Sequence, residues 1–123
     1  MRWIVDGMNV IGTRPDGWWR DRDAAMARLV DLLERFAAAT GDDVTVVFER
    51  KPRPPLGSTV IEIAHAKKQG PDAADFEIAR RVRKDARPAQ IQVVTSDGWL
   101  ADTVSAAGAV VVSSGGFRDR LEG

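Results

Sequence analysis

The sequence predicts an α/β fold with a mainly parallel sheet of about five strands, covered on both faces by helices. Three observations predict it. Short, nearly continuous apolar runs recur along the chain, among them Trp3–Val5, Val44–Phe48 and Ile91–Val94, as in strands buried on both faces. Stretches of helical periodicity separate several of them. The two kinds of segment alternate, the order expected of crossovers rather than hairpins.

Arg2–Asp6 is the first expected strand, and Thr13–Arg22, with Pro15, Gly17 and two tryptophans, reads as a loop. A helix is expected from Asp23 to about Ala39. Its Leu29, Leu32, Leu33 and Phe36 stand on one face, and Gly41 follows as a stop signal. Val44–Glu49 and Thr59–Ala64 are the second and third strands. Asp72 opens a second helix with Asp75, Ile78, Ala79 and Val82 on one stripe. Then come a fourth strand at Ile91–Thr95, a third helix from about Gly98 to Ala107, and a fifth strand at Ala109–Val112. Gly116–Glu122 is expected to add a last helical turn. The segment Lys51–Gly57 has seven residues, three of them proline, where a parallel crossover usually needs a dozen or more. Extended, it reaches roughly 23 Å. A parallel third strand is preferred, because its end would then share an edge with Asp75.

Composition narrows the function. At 123 residues the chain reads as a single domain, 1–123, with 44% apolar and 29% charged residues. No apolar run approaches the ~20 residues that span a bilayer, and no signal-peptide pattern opens the chain, so a cytoplasmic location is expected. Cysteine is absent, which excludes disulfides, thiolate metal sites and cysteine nucleophiles. His65, the one histidine, cannot build a histidine-based metal site. Neither Gly-x-x-x-x-Gly-Lys nor Gly-x-Gly-x-x-Gly occurs, so nucleotide triphosphatase and dinucleotide readings lack support. Eighteen basic residues balance eighteen acidic ones; any binding of nucleic acid would depend on local basic patches.

The acids carry the chemistry. In an open parallel sheet, ligands bind beyond the carboxyl ends of the strands. Asp6 and Asp97 follow the first and fourth strands, and Asp75 begins a helix on its inward stripe. Carboxylates gathered there suit Mg²⁺ or Mn²⁺, which prefer hard oxygen donors; two-metal phosphodiester hydrolysis needs ions ~3.5–4 Å apart. Each acid has a plainer explanation. Asp6-Gly7 fits a turn, Asp72 a helix cap with Asp75 in the reciprocal position, and Asp97 a cap of the third helix. Glu49 is either a fourth acid or an edge charge. Asp102 lies about 200° around its helix from Leu100 and reads as solvated.

Three stretches together, Ile4-Val5-Asp6-Gly7-Met8-Asn9-Val10-Ile11-Gly12, Ala74-Asp75-Phe76-Glu77-Ile78 and Val93-Val94-Thr95-Ser96-Asp97, resemble the YacP-type NYN domains of the PIN-like nuclease group. The resemblance spans nearly the whole chain. It implies a three-layer α/β/α PIN-like fold whose acidic pocket binds a divalent metal and cleaves RNA. Asp6, Asp75 and Asp97 match the acidic positions, and Asn9 the loop asparagine that would orient the first aspartate or a metal-bound water. Ser96 is a second expected orienting group. Asp102 also falls where relatives carry an acid, against the periodicity. Where relatives show adjacent acids, this chain has Asp72 and Asp75, and its Lys51–Gly57 loop is shorter.

An RNA substrate needs cations for phosphates and aromatic faces for unstacked bases. Arg14, Trp18, Trp19 and Arg20 follow the first strand, Arg50, Lys51 and Arg53 the second, and Lys67 and Lys68 precede the second helix. Trp99 adjoins Asp97. Such tryptophans equally often close a core edge, and the run Arg80–Lys84 reads as a solvated helix face. Two functions are weighed: a metal-dependent endoribonuclease with water as nucleophile, acting on RNA such as ribosome-bound mRNA, and a non-catalytic RNA-binding or ribosome-associated module. A phosphatase-like or receiver-type domain finds no clear support. Oligomeric state is not readable from these residues.

Overall fold

Five strands, β1 (Arg2–Asp6), β2 (Asp43–Phe48), β3 (Glu62–His65), β4 (Ile91–Val94) and β5 (Val110–Val112), form one sheet. Their order is β3-β2-β1-β4-β5 and every neighbouring pair is parallel. This computed structural model describes all residues except Gln69 and Pro71. From β1 the chain builds outward through β2 to β3, then returns to place β4 on the other side of β1. The direction of growth therefore switches between β1 and β4, and a crevice opens at their carboxyl ends.

Pleating divides the apolar residues between two faces. On one, Trp3, Val5, Val46 and Phe48 pack against α2 (Arg22–Thr40) through Met26, Leu29 and Leu33. The short helix α1 (Gly7–Ile11) and α5 (Ser114–Glu122) join this layer with Val10, Ile11 and Phe117. On the other, Ile4, Val47 and Val93 meet Ile78 and Val82 of α3 (Ala73–Lys84) and Leu100 and Val104 of α4 (Gly98–Ala106). The three-layer α/β/α architecture follows.

Several boundaries differ from expectation. The turn weighed as a plainer reading of Asp6-Gly7 is the start of the helix α1, and a 3₁₀ turn at Trp18–Arg20 sits in the expected loop. β3 begins at Glu62 rather than Thr59. Residues 49–61 are then free to make the crossover, which removes the apparent shortage of chain. The expected last turn is the full helix α5. Asp72 occupies the N-cap position of α3 at φ 65, but its side chain accepts no capping hydrogen bond, so the capping role weighed for it is absent.

Candidate active site

Asp6 ends β1 with its side chain only 4% exposed. Its carboxylate accepts a hydrogen bond from Thr95 Oγ1 at 2.9 Å, and Thr95 Oγ1 accepts one from the Asp97 backbone N–H at 3.1 Å. One buried hydroxyl thus ties the ends of β1 and β4 together. Asp97 is the N-cap of α4, where its Oδ1 accepts from the Leu100 N–H at 2.8 Å. Asp75 lies in the first turn of α3 and is buried, because the helix turns its Ala74, Ile78 and Val82 toward the sheet. These three acids, with Glu49 and Asp72, line one cleft of about 340 Å³ at the carboxyl edge.

Crowding sets the electrostatics. Burial, then the charges of Asp75, Asp97 and Glu49, push the Asp6 carboxyl up to about 7 against the pull of the Thr95 hydroxyl. Burial, then Asp97, Asp72 and Glu49, push Asp75 up to about 6, while a hydrogen bond with Asp6 opposes the rise. Among the described residues, no arginine or lysine forms an ion pair with any of the five acids. Glu77 shows the contrast. Two residues beyond Asp75 and equally buried, it is bridged by Arg80 and Arg81 at 2.7 Å each and held down to about 2, with the Arg80 hydrogen bond the largest cause. The cleft acids therefore have no ion-paired counter-charge among the described residues, and the guanidinium of Arg22, in the same lining, lies over the Trp18 ring instead. The donors of the cleft are hard oxygens, which fit Mg²⁺ or Mn²⁺, although among the described residues the acids do not already stand as a three-ligand cage.

Asn9 lines the same cleft from α1. Its Oδ1 accepts from the Ser96 N–H at 2.9 Å and from Ser114 Oγ at 2.6 Å. Ser96 Oγ accepts in turn from the Ser114 N–H at 3.0 Å, so the hydroxyl expected to orient ligands anchors the start of α5. Sequence reasoning missed Thr95 as the partner of Asp6, Ser114 as the partner of Asn9, and Arg22 as a cleft residue. Asp102 lies outside the cleft, in a shallow groove with Arg83 and Thr103. That agrees with its helical periodicity.

The basic and aromatic candidates divide. Trp18 lines the cleft, with the Arg22 guanidinium 5.2 Å from its ring centroid. Trp19 meets it edge-on and is half exposed. Arg20, Lys51, Lys67 and Lys68 are exposed. Arg14 is engaged with Asp119 and Glu122, and Arg50 holds Asp23 at 2.8 and 3.2 Å. Much of the donor capacity of those two guanidinium groups is therefore spent on tying down surface segments.

Residues 3–123 match the YacP-like NYN domain. The chain belongs to that family. Among solved structures, this NYN domain resembles Rae1 (YacP) from Bacillus subtilis with a TM-score of 0.81 at 23% identity, over 99% of this chain and 74% of that one. A mutant of the same protein gives a TM-score of 0.79 at 25% identity. A UPF0178 protein of Xanthomonas campestris is 40% identical over 102 residues, 80% of this chain and 57% of its own length. One from Halorhodospira halophila is 35% identical over 100 residues, 81% of this chain and 62% of its own length. The NYN domain thus spans about three-fifths of these curated relatives. Its fold is the PIN-like, nuclease-like α/β fold expected from the resemblance.

Proposed function

We propose that this NYN domain is a divalent-metal-dependent endoribonuclease that hydrolyses RNA phosphodiester bonds in the acidic cleft. One observation carries the reading: five carboxylates converge at the sheet's switch point, and no cation among the described residues pairs with them. Asp6, Asp75 and Asp97 would hold Mg²⁺ or Mn²⁺. When bound, the ion supplies charge stabilisation at the scissile phosphate and a water of lowered pKa. The chain's own residues do the positioning. Thr95 fixes the Asp6 carboxylate, and Ser114 and the Ser96 backbone fix the Asn9 carbonyl, leaving its amide as a donor beside the cleft. Arg22, and the exposed Lys67 and Lys68, offer charge to the RNA backbone. Neutral overall charge permits this, since only local potential at the cleft matters.

A non-catalytic RNA-binding or ribosome-associated module is the rival, and the lack of a ready-made three-ligand cage among the described residues favours it. Calorimetric titration with Mn²⁺ separates the two, because specific heat of binding, abolished by Asp6→Asn, is expected only for the nuclease. Cleavage of single-stranded RNA should be lost in the same variant. Undiminished cleavage by Asp6→Asn would remove the proposal. Ribosome-bound mRNA is one candidate substrate, and a cytoplasmic location accords with it. Among the described residues no helix is long and apolar enough to cross a membrane.

A further inference from the structure

Among the described residues three large aromatic side chains are exposed: Trp19 at 51%, Phe76 at 62% and Trp99 at 46%. None of the three lines the acid cleft, but each lies within two residues of one that does. Trp19 follows Trp18, a cleft residue; Phe76 follows Asp75; Trp99 lies two residues beyond Asp97. Phe76 and Trp99 also meet each other, from the first turns of α3 and α4, with centroids 5.2 Å apart and planes at 67°. The fold does not require this contact in water. Ala74, Ile78 and Val82 already fill the buried face of α3, and Leu100 and Val104 that of α4. A lone exposed aromatic needs no explanation, but a pair in contact, contributed by the two helices that also supply Asp75 and Asp97 to the cleft, is a patch.

Charge beside the patch says what it suits. Phe76 walls a groove of about 410 Å³ together with Lys67, Lys68 and Arg80. Arg80 is committed to Glu77, whereas neither lysine has a carboxylate partner among the described residues. Cations, aromatic faces and the acid cleft thus follow one another across this edge of the molecule. Single-stranded nucleic acid needs that combination, charge for its backbone and a ring for each base. A duplex does not, since its bases already stack on one another.

We propose that Phe76 and Trp99 form a base subsite, in which one unpaired nucleobase of single-stranded RNA stacks while Lys67 and Lys68 hold a neighbouring phosphate. Two rings at 67° make a corner that a planar base enters face-on to one and edge-on to the other, the geometries aromatic pairs prefer. The subsite rests on the reading of the cleft as an RNA site, and it would let the protein select unpaired RNA.

Binding is best read without cleavage, in the full chain carrying Asp6→Asn, with a short fluorescein-labelled oligouridylate as probe. Adding Phe76→Ala and Trp99→Ala should raise Kd about tenfold or more. Trp99→Phe should stay near the parent, and Trp99→Leu, which keeps bulk without the aromatic face, should weaken binding as alanine does. RNA with abasic positions should bind the parent as weakly as ordinary RNA binds the double alanine variant. Unchanged affinity in the alanine variant, full binding by Trp99→Leu, equal binding of abasic RNA, or no binding of RNA by the parent each overturns the subsite. The nuclease reading fails separately. If wild-type protein cleaves nothing while RNA binding depends on the two rings, the subsite stands; if cleavage proceeds and the rings are irrelevant, only the subsite falls.

Discussion

Asp97 has two carboxylate oxygens, and one is already occupied: Oδ1 caps α4 through the Leu100 N–H. Asparagine is as good an N-cap as aspartate but carries no charge. Asp97→Asn should therefore keep the fold and lose cleavage at least about 100-fold, the upper range for even an outer-shell partner of a metal. Asp97→Ala should lose the cap as well, about 1 kcal/mol. Thermal melts beside an RNA cleavage assay check both, and an asparagine variant with full activity would leave Asp97 only its capping role. At this scale the sequence was legible where local pattern sufficed. Strand ends pointed to Asp6 and Asp97, and helical periodicity turned Asp75 inward and Asp102 outward. Thr95 and Ser114 escaped because their partners, Asp6 and Asn9, lie 89 and 105 residues away. No local spacing encodes such a pair.

Among the elements, α1 shows how backbone and site depend on each other. A Cβ at Gly7 would lie 2.6 Å from two carbons of the fully buried Phe48 ring, so only glycine lets α1 start this close to β2. Gly7→Ala should cost about 1–3 kcal/mol through overpacking, read by urea denaturation. It should also lower activity, because α1 carries Asn9. A denaturation midpoint equal to wild type would show that the Phe48 ring yields freely. The long helices were legible because α2 and α3 repeat their apolar residues over several turns. α1 was not, since five residues show no period. β3 was misplaced for a specific reason. Ser58 Oγ accepts from the N–H groups of Val60 and Ile61 at 3.0 and 3.1 Å, which holds the start of that apolar run in a turn and delays the strand to Glu62. In α5, two glycines of low helix propensity concealed a first turn that Ser113 caps through the Gly116 N–H.

For the whole molecule, the acid cleft sets stability against function. Asp6 titrates near its ordinary 3.8 when unfolded and near 7 when folded. The native state then holds the proton more tightly than the unfolded chain, so its contribution to stability is full below about pH 4 and is lost as pH rises to about 7. The gap converts to about 4 kcal/mol at most. Asp75, raised to about 6 chiefly by burial, acts in the same direction. Glu77 and Asp85 act oppositely. Held down to about 2 by hydrogen bonds, chiefly from Arg80 and from Arg2, they contribute stability above their unfolded values of 4.5 and 3.8 and lose it as pH falls toward 2. Metal-free protein should thus be most stable in mildly acidic solution and weaken toward neutrality. A divalent ion bound only by the folded state would reverse this at neutral pH, by about 2.7 kcal/mol at a hundred times its Kd. Scanning calorimetry in EDTA should show Tm falling from pH 5 to 7.5. Mn²⁺ should restore it at pH 7.5 and do little at pH 5, where protons compete for Asp6 and Asp75. Asp6→Asn should flatten much of the decline and remove the Mn²⁺ response, leaving a protein more stable at neutral pH and unable to cut RNA. A metal-free Tm that climbs between pH 5 and 7.5 would mean that the five carboxylates do not strain the fold as their crowding demands.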